Sequence, residues 1–207
     1  MELSFEECLK ELEAIVRKLE NKDIALDEAV KNYEQKFDHA VLTSLAVSEE
    51  EIDEAMTLVP TELLDSLKLA HENIYKFHCA QKFKGISLET SKGVECWQKS
   101  VPIQKVGLYI PGGTAPLFST VLMLATPAKI AGCDEIVLCT PPNKEGKVNP
   151  AILAAAKIAG VSRIFKVGGV QAIGAMAYGT ESVPKVDKIV ALADWLMIEL
   201  SDLLSHI

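Results

Sequence analysis

Two glycine-rich turns are the first places where this chain could do chemistry. Val106-Gly-Leu-Tyr-Ile-Pro-Gly-Gly113 reads as a short buried strand that stops at Pro111 and enters a glycine turn, with an apolar helical run from about Leu117. Such a corner turns backbone N–H groups outward, and the start of the helix adds a partial positive charge, a combination suited to an anion. Gly168-Gly169 repeats the arrangement ahead of Val170–Tyr178, and Thr140-Pro-Pro142 forms a third loop of the same kind. There is no GxGxxG and no GxxxxGK[ST], so the usual dinucleotide and P-loop fingerprints are both missing. On spacing alone the loops are either a nucleotide or anion crevice or glycines that serve only tight turns.

Groups for metal or acid–base work are sparse. His39, His71, His78 and His206 are the four histidines, and His71 and His78 stand two helical turns apart, too far to share one ion without a third ligand between them. The five cysteines, Cys8, Cys79, Cys96, Cys133 and Cys139, form no CxxC pair and are odd in number. They read as reduced thiols, mostly small buried hydrophobes, in a cytoplasmic protein. No catalytic residue and no metal ligand is assigned.

The elements that must position the loops follow from periodicity. Four apolar strands, Val106–Ile110, Glu135–Thr140, Arg163–Val167 and Asp187–Val190, alternate with helical runs at about Leu117–Ala131, Asn149–Ala159 and Val170–Tyr178. This alternation predicts an α/β fold, a Rossmann-like parallel sheet with flanking helices and right-handed crossovers. Gly132 and Gly160 should close two of the helices, and Pro127 should kink or shorten the first. An α-helical N-terminal region and a β-hairpin come before the sheet. Ser48-Glu-Glu-Glu51 is a capping box that opens a short helix. A longer helix after Pro60 places Leu63, Leu64, Leu67, Ala70, Ile74 and Phe77 on one face. Ile86–Thr90 and Val94–Val101 read as the hairpin, with Trp97 expected to pack it on the body.

The first 35 residues carry a second capping box, Ser4-Phe-Glu-Glu7, and a stripe of Phe5, Cys8, Leu9, Leu12, Ile15, Val16 and Leu19. Asp27 is expected to cap a following helix with Ala29, Val30, Tyr33 and Phe37 on its apolar face. Ser4 to Val16, Lys18-Leu-Glu20, Leu26-Asp-Glu-Ala29 and Asn32-Tyr-Glu34 resemble the opening of the exodeoxyribonuclease VII small subunit. That resemblance implies a non-catalytic packing hairpin, with the exonuclease large subunit as a possible partner.

A longer resemblance covers residues 36–190. Val106 to Gly113, Pro116-Leu-Phe-Ser-Thr-Val-Leu-Met123, Pro127-Ala-Lys-Ile-Ala-Gly132, Val167-Gly-Gly-Val-Gln-Ala-Ile173 and Ala177 to Ile189 are similar to the first half of histidinol dehydrogenase. The resemblance implies a zinc-dependent homodimer that oxidises L-histidinol to L-histidine in two NAD-linked steps, the end of histidine biosynthesis. It further implies that Tyr109 and Gln171 contact NAD. Tyr109 would stand at a strand end facing the crevice, and Gln171 beside two glycines at a helix start.

The family pattern breaks after Val190, where Ala191-Leu-Ala-Asp194 replaces a Gly-Pro-Gly-Asn turn that supplies a further NAD contact. The family's zinc ligands and Glu-His catalytic pair would lie beyond this point. The expectation is therefore a truncated, fused or rearranged member, inactive alone and weak toward NAD, with an apolar helical tail over 191–207. The domains read as 1–35, 36–104, 105–190 and 191–207.

Charge and composition narrow the partners. At 207 residues, 49% apolar and 24% charged, the chain has ordinary globular composition, and its net charge of −8 disfavours a nucleic-acid surface. No apolar run approaches the roughly 20 residues that span a bilayer. The sheet edge and the apolar tail predict self-association.

Overall fold

A computed structural model describes residues 25–112 and 116–191. The first helix of the N-terminal hairpin, Gly113, the 192–207 tail and His206 lie outside the described residues.

The sheet is where the periodicity places it. It is formed by β3 (Lys105–Tyr109), β4 (Glu135–Thr140), β5 (Arg163–Lys166) and β6 (Lys188–Ala191), in the order β5-β4-β3-β6, with every adjacent pair parallel. It is preceded by α1 (Leu26–Phe37), α2 (Glu49–Leu58) and α3 (Thr61–Ala80), then by the antiparallel hairpin β1 (Ile86–Ser91) and β2 (Val94–Gln98). Between the parallel strands run α4 (Phe118–Ala131), α5 (Pro150–Ala159) and α6 (Gly169–Tyr178).

Side chains alternate across a strand, so each strand feeds two cores. Val106, Leu108, Ile110, Ile136, Leu138 and Ile164 face α4 and α5, with α2 and α3 packed outside them. Tyr109, Val137, Cys139, Phe165 and Val167 face the opposite way, onto α6 and α1. The near-continuous burial of the strands follows from having helices on both faces. The outer edge of β5 is covered by the 45–47 segment. Lys166 N–H donates to the Leu45 carbonyl at 2.7 Å, and Val47 N–H donates to the Ile164 carbonyl at 2.9 Å.

The helix ends follow their local chemistry. Gly132 and Gly160 adopt left-handed φ values of 89° and 77° and close α4 and α5. The Ser48–Glu51 capping box forms in both directions. Pro127 does not end α4, which runs on to Ala131. Pro127 lacks the N–H that would bond the Met123 carbonyl one turn back, and Met123 lies on an exposed part of the helix.

Two expectations are corrected. Asp27 does not cap α1, whose N-cap position is Ala25. Glu181 does so instead, its carboxylate accepting from Leu26 N–H at 3.1 Å and Asp27 N–H at 2.8 Å. Asp27 in turn accepts from Thr180 Oγ1 at 2.6 Å, from Ser182 N–H at 3.2 Å and from Ser182 Oγ. The two acids thus exchange roles across about 155 residues of chain. Trp97 does not pack the ribbon on the body: it is 67% exposed, and every residue of β1 and β2 is exposed. Phe77, near the end of α3, also leaves the apolar face and is exposed. The last turns of α3 and the ribbon run beyond the reach of the core.

Candidate functional site: a crevice over the strand ends

The loops that follow β3, β4 and β5 converge at the carboxyl ends of the strands, where α/β sheets of this type hold ligands. They border a crevice of about 730 Å³, lined by Tyr109, Pro111, Gly112, Thr140, Pro141 and Gly169 on the sheet side. Asp38, Lys147 and Asn149 line it as well. The volume lies within the usual range for small-molecule sites, roughly 300–1,000 Å³.

Tyr109 ends β3 and is 4% exposed, with its hydroxyl accepting the Gly169 N–H at 3.0 Å. Burial pushes its phenol up to about 12, so the hydroxyl keeps its proton. That proton, not needed by Gly169, is available to an acceptor in the crevice. Gln171, in the first turn of α6, is 3% exposed and does not line the crevice. Its amide turns inward, and Nε2 donates to Glu34 Oε1 at 2.9 Å. Tyr109 and Gln171 meet at Gly169, whose N–H holds the tyrosine. A side chain at Gly169 would begin 3.0 Å from Gln171 Oε1.

Gly168 sets how closely the corner closes. A Cβ there would lie 2.5 Å from Pro141 Cβ and 3.1 Å from Asp38 Oδ2. Only a glycine lets α6 start this near to the β4 loop and to α1.

Three residues missed by sequence reasoning belong to this corner. Glu34 of α1 is 0% exposed, and its Oε1 accepts from Gly168 N–H at 3.0 Å as well as from Gln171. Burial drives its carboxyl up to about 7, against the two hydrogen bonds, with the neighbouring Asp38 adding repulsion. Asp38 is likewise raised, chiefly by its own burial. Thr140 is 1% exposed, and its Oγ1 is buried with no hydrogen-bond partner among the described residues. Thr140 borders the crevice, and its hydroxyl, covered in this structure, would meet a bound molecule once the loop beside it shifts. The Thr140-Pro-Pro142 loop was legible in the sequence, but the unpaired hydroxyl was not. Glu34 carried a signal only in hindsight, as a charged residue at an apolar helical spacing from Val30.

The arrangement offers a hydroxyl-accepting carboxylate at Asp38, unpaired or half-used hydroxyls at Thr140 and Tyr109, a cation at Lys147, and the N-terminus of α5. Asn149 caps that helix by accepting Ala151 N–H at 2.9 Å. This mixture suits a ligand that carries both hydroxyls and anionic groups. Metal chemistry is another matter. Among the described residues no three His, Cys, Asp or Glu side chains converge to hold an ion, and neither His71 nor His78 reaches the crevice. His78 Nδ1 instead lies 2.7 Å from Gln81 Oε1, while the His71 ring tilts against Tyr75.

A parallel sheet with helices on both faces and a crevice over the strand ends defines a Rossmann-like α/β domain. The chain belongs to the histidinol dehydrogenase family, whose model matches residues 2–193. It is 69% identical over 163 residues to histidinol dehydrogenase of Bacteroides fragilis and 53% identical over 171 residues to that of Escherichia coli K12. Those matches cover 79% and 83% of this chain, and the chain spans 38% of the length of each relative. The crystal structure of histidinol dehydrogenase from Elizabethkingia anophelis superposes with a TM-score of 0.91 at 43% identity, covering 100% of this chain and 47% of that one.

The family match begins at residue 2 and takes in the stretch read as similar to exodeoxyribonuclease VII. The exonuclease resemblance has no support. The helix that carried part of it, α1, docks on α6 and supplies Glu34 to the crevice corner. It also runs unbroken across the boundary read between residues 35 and 36.

Proposed function

We propose that the crevice binds NAD, with Tyr109 and Gln171 as cofactor contacts, as the cofactor-holding part of an enzyme that oxidises L-histidinol to L-histidine. The observation that carries this reading is the convergence of Tyr109, Gly112, Thr140 and Gly169, from three loops at the strand ends, on one crevice with an unpartnered buried hydroxyl. Bound there, NAD would supply the hydride acceptor. This chain's residues would orient it: the Tyr109 hydroxyl and Thr140 Oγ1 by hydrogen bonds, Asp38 by accepting from a hydroxyl, and Lys147 by opposing an anionic group. Gln171 is buried behind Gly169 with Nε2 engaged by Glu34, so its amide would have to turn toward the crevice to contact the cofactor. Calorimetric titration with NAD tests the reading. Micromolar-range binding that weakens in Thr140→Val supports it, and no heat at millimolar NAD would sink it.

The oxidation itself needs more than this corner. A base must take a proton at each step; no histidine borders the crevice among the described residues, and the carboxyl that does, Asp38, is engaged with Glu34. The family's zinc finds no ligand set there either. We therefore expect no NADH from histidinol and zinc with this chain alone, and turnover would overturn that expectation.

Self-association is part of the same proposal. Ile86, Leu88, Val94, Trp97 and Phe77 are 50–67% exposed on the ribbon and the end of α3, more apolar surface than an isolated chain comfortably leaves to water. Sedimentation velocity should detect a dimer, and Leu88→Ser with Trp97→Ser should shift it to monomer. No described helix is long and apolar enough to cross a membrane. On its unpaired cysteine pattern we place the protein in the cytoplasm.

A further inference from the structure

Glu34 has a place in this corner that the proposed cofactor contacts do not explain. Its two oxygens are unlike. Oε1 accepts two hydrogen bonds, from the Gly168 N–H at 3.0 Å and the Gln171 Nε2 at 2.9 Å. Oε2 is fully buried and no group among the described residues donates to it. An ionised carboxylate would leave that oxygen bare in a site with no water contact, a costly arrangement. One turn further along α1 stands a second carboxyl, Asp38, whose Oδ2 lies beside Gly168 and whose side chain faces the crevice. The two side chains are within hydrogen-bonding reach of each other, and two carboxyls so placed are satisfied by a proton between them.

We propose that Glu34 and Asp38 share one proton, and that the pair is a positioning device which holds the Gly168 N–H and the Gln171 amide at the start of α6 and so sets the cofactor corner. With the proton in place, Glu34 Oε2–H donates to Asp38 while Oε1 keeps both of its donors. When the proton leaves, two carboxylates repel each other across the first turn of α6, and one of them borders the crevice. The titratable groups that face Glu34 are Asp38 from the end of α1, Tyr109 from β3 and Cys139 from β4, and His39 faces Asp38. Tyr109 and Cys139 stay protonated, because burial raises both. Of the groups that face Glu34, the carboxyl pair is left to release a proton, consistent with the upward displacement of Glu34 to about 7. What the corner serves rests on the NAD reading above; that the pair titrates does not.

The test uses the ¹⁵N-labelled chain and follows the Gly168 backbone amide by NMR from pH 5 to 9. The expected result is an inflection near pH 7 in the wild type. Glu34→Gln should abolish it, since an amide keeps Oε1 as acceptor and donates to Asp38 as the protonated acid does. Asp38→Asn should move it to lower pH by removing the repelling charge. A Gly168 amide that is flat across the range, or that inflects equally in Glu34→Gln, overturns the shared proton. NAD affinity at pH 6 and pH 8 then tests positioning. The wild type should bind several-fold to roughly tenfold more tightly at pH 6, as expected when a negative charge appears beside an anionic ligand. Glu34→Gln should lose most of that difference. A titrating Gly168 with pH-independent NAD binding would overturn the positioning role. No NAD binding at either pH would sink the cofactor reading instead, leaving the NMR result to decide the pair.

Discussion

Burying a carboxyl costs free energy that its hydrogen bonds return only in part, and at Glu34 the balance falls on the side of the proton. In the unfolded chain this group releases its proton near the ordinary carboxyl value of 4.5, and in the fold at about 7. The folded chain therefore binds more protons across that window. The contribution is fully present below pH 4.5, and stability is lost as pH rises toward 7, by on the order of 3 kcal/mol. Asp38 is raised in the same direction and titrates with Glu34 as one pair, so its share is not counted separately. Denaturant midpoints at pH 5 and pH 8 should show this loss in the wild type and a shallower one in Glu34→Gln. Tyr109 presents a simpler case. Tyr109→Phe leaves the Gly169 N–H without its acceptor at 3.0 Å. A cost of about 1–2 kcal/mol is expected in chemical denaturation, with NAD binding weakened as well. An unchanged midpoint would mean that water replaces the hydroxyl.

At the level of elements, α1 is tied to the sheet by polar bonds at both ends as well as by the apolar contacts of Val30. Its first turn exchanges acids with the 180–182 loop, and its last turn places Glu34 and Asp38 against α6. Asp27→Ala removes acceptors from Thr180 Oγ1, Ser182 N–H and Ser182 Oγ together. It should cost about 1–2 kcal/mol and speed amide exchange in the 180–183 loop. Exchange unchanged from wild type would show that Glu181 alone holds this end. Gly168→Ala tests the other end. The added methyl would sit 2.5 Å from Pro141 Cβ, and the proline ring cannot swing away as a flexible chain could. A loss of about 1–3 kcal/mol is expected from the displaced start of α6, together with loss of NAD binding.

For the molecule as a whole, the apolar surface is unevenly distributed. The two cores beside the sheet are closed, whereas the ribbon and the end of α3 are open. Trp97, expected on apolar grounds to lie against the body, stands 67% exposed. In a Trp195→Phe background its fluorescence should be quenched readily by acrylamide in dilute monomer and protected as the concentration rises. Quenching that does not depend on concentration would count against association through this ribbon.

The parallel strands, the helices between them, the glycine stops at Gly132 and Gly160 and the Ser48 capping box were all legible in the chain. Each rests on a period of a few residues or on one residue's local conformational freedom. The three crevice loops were legible for the same reason. Tertiary structure decided the partners of polar groups and the side on which an apolar face found cover. Glu34 meets Gln171 across 137 residues and Glu181 caps a helix 154 residues before it. Nothing in the spacing near either residue encodes such a meeting. A carboxyl reads as a surface group until the fold removes its water, and its burial and proton then depend on groups brought to it from elsewhere in the chain.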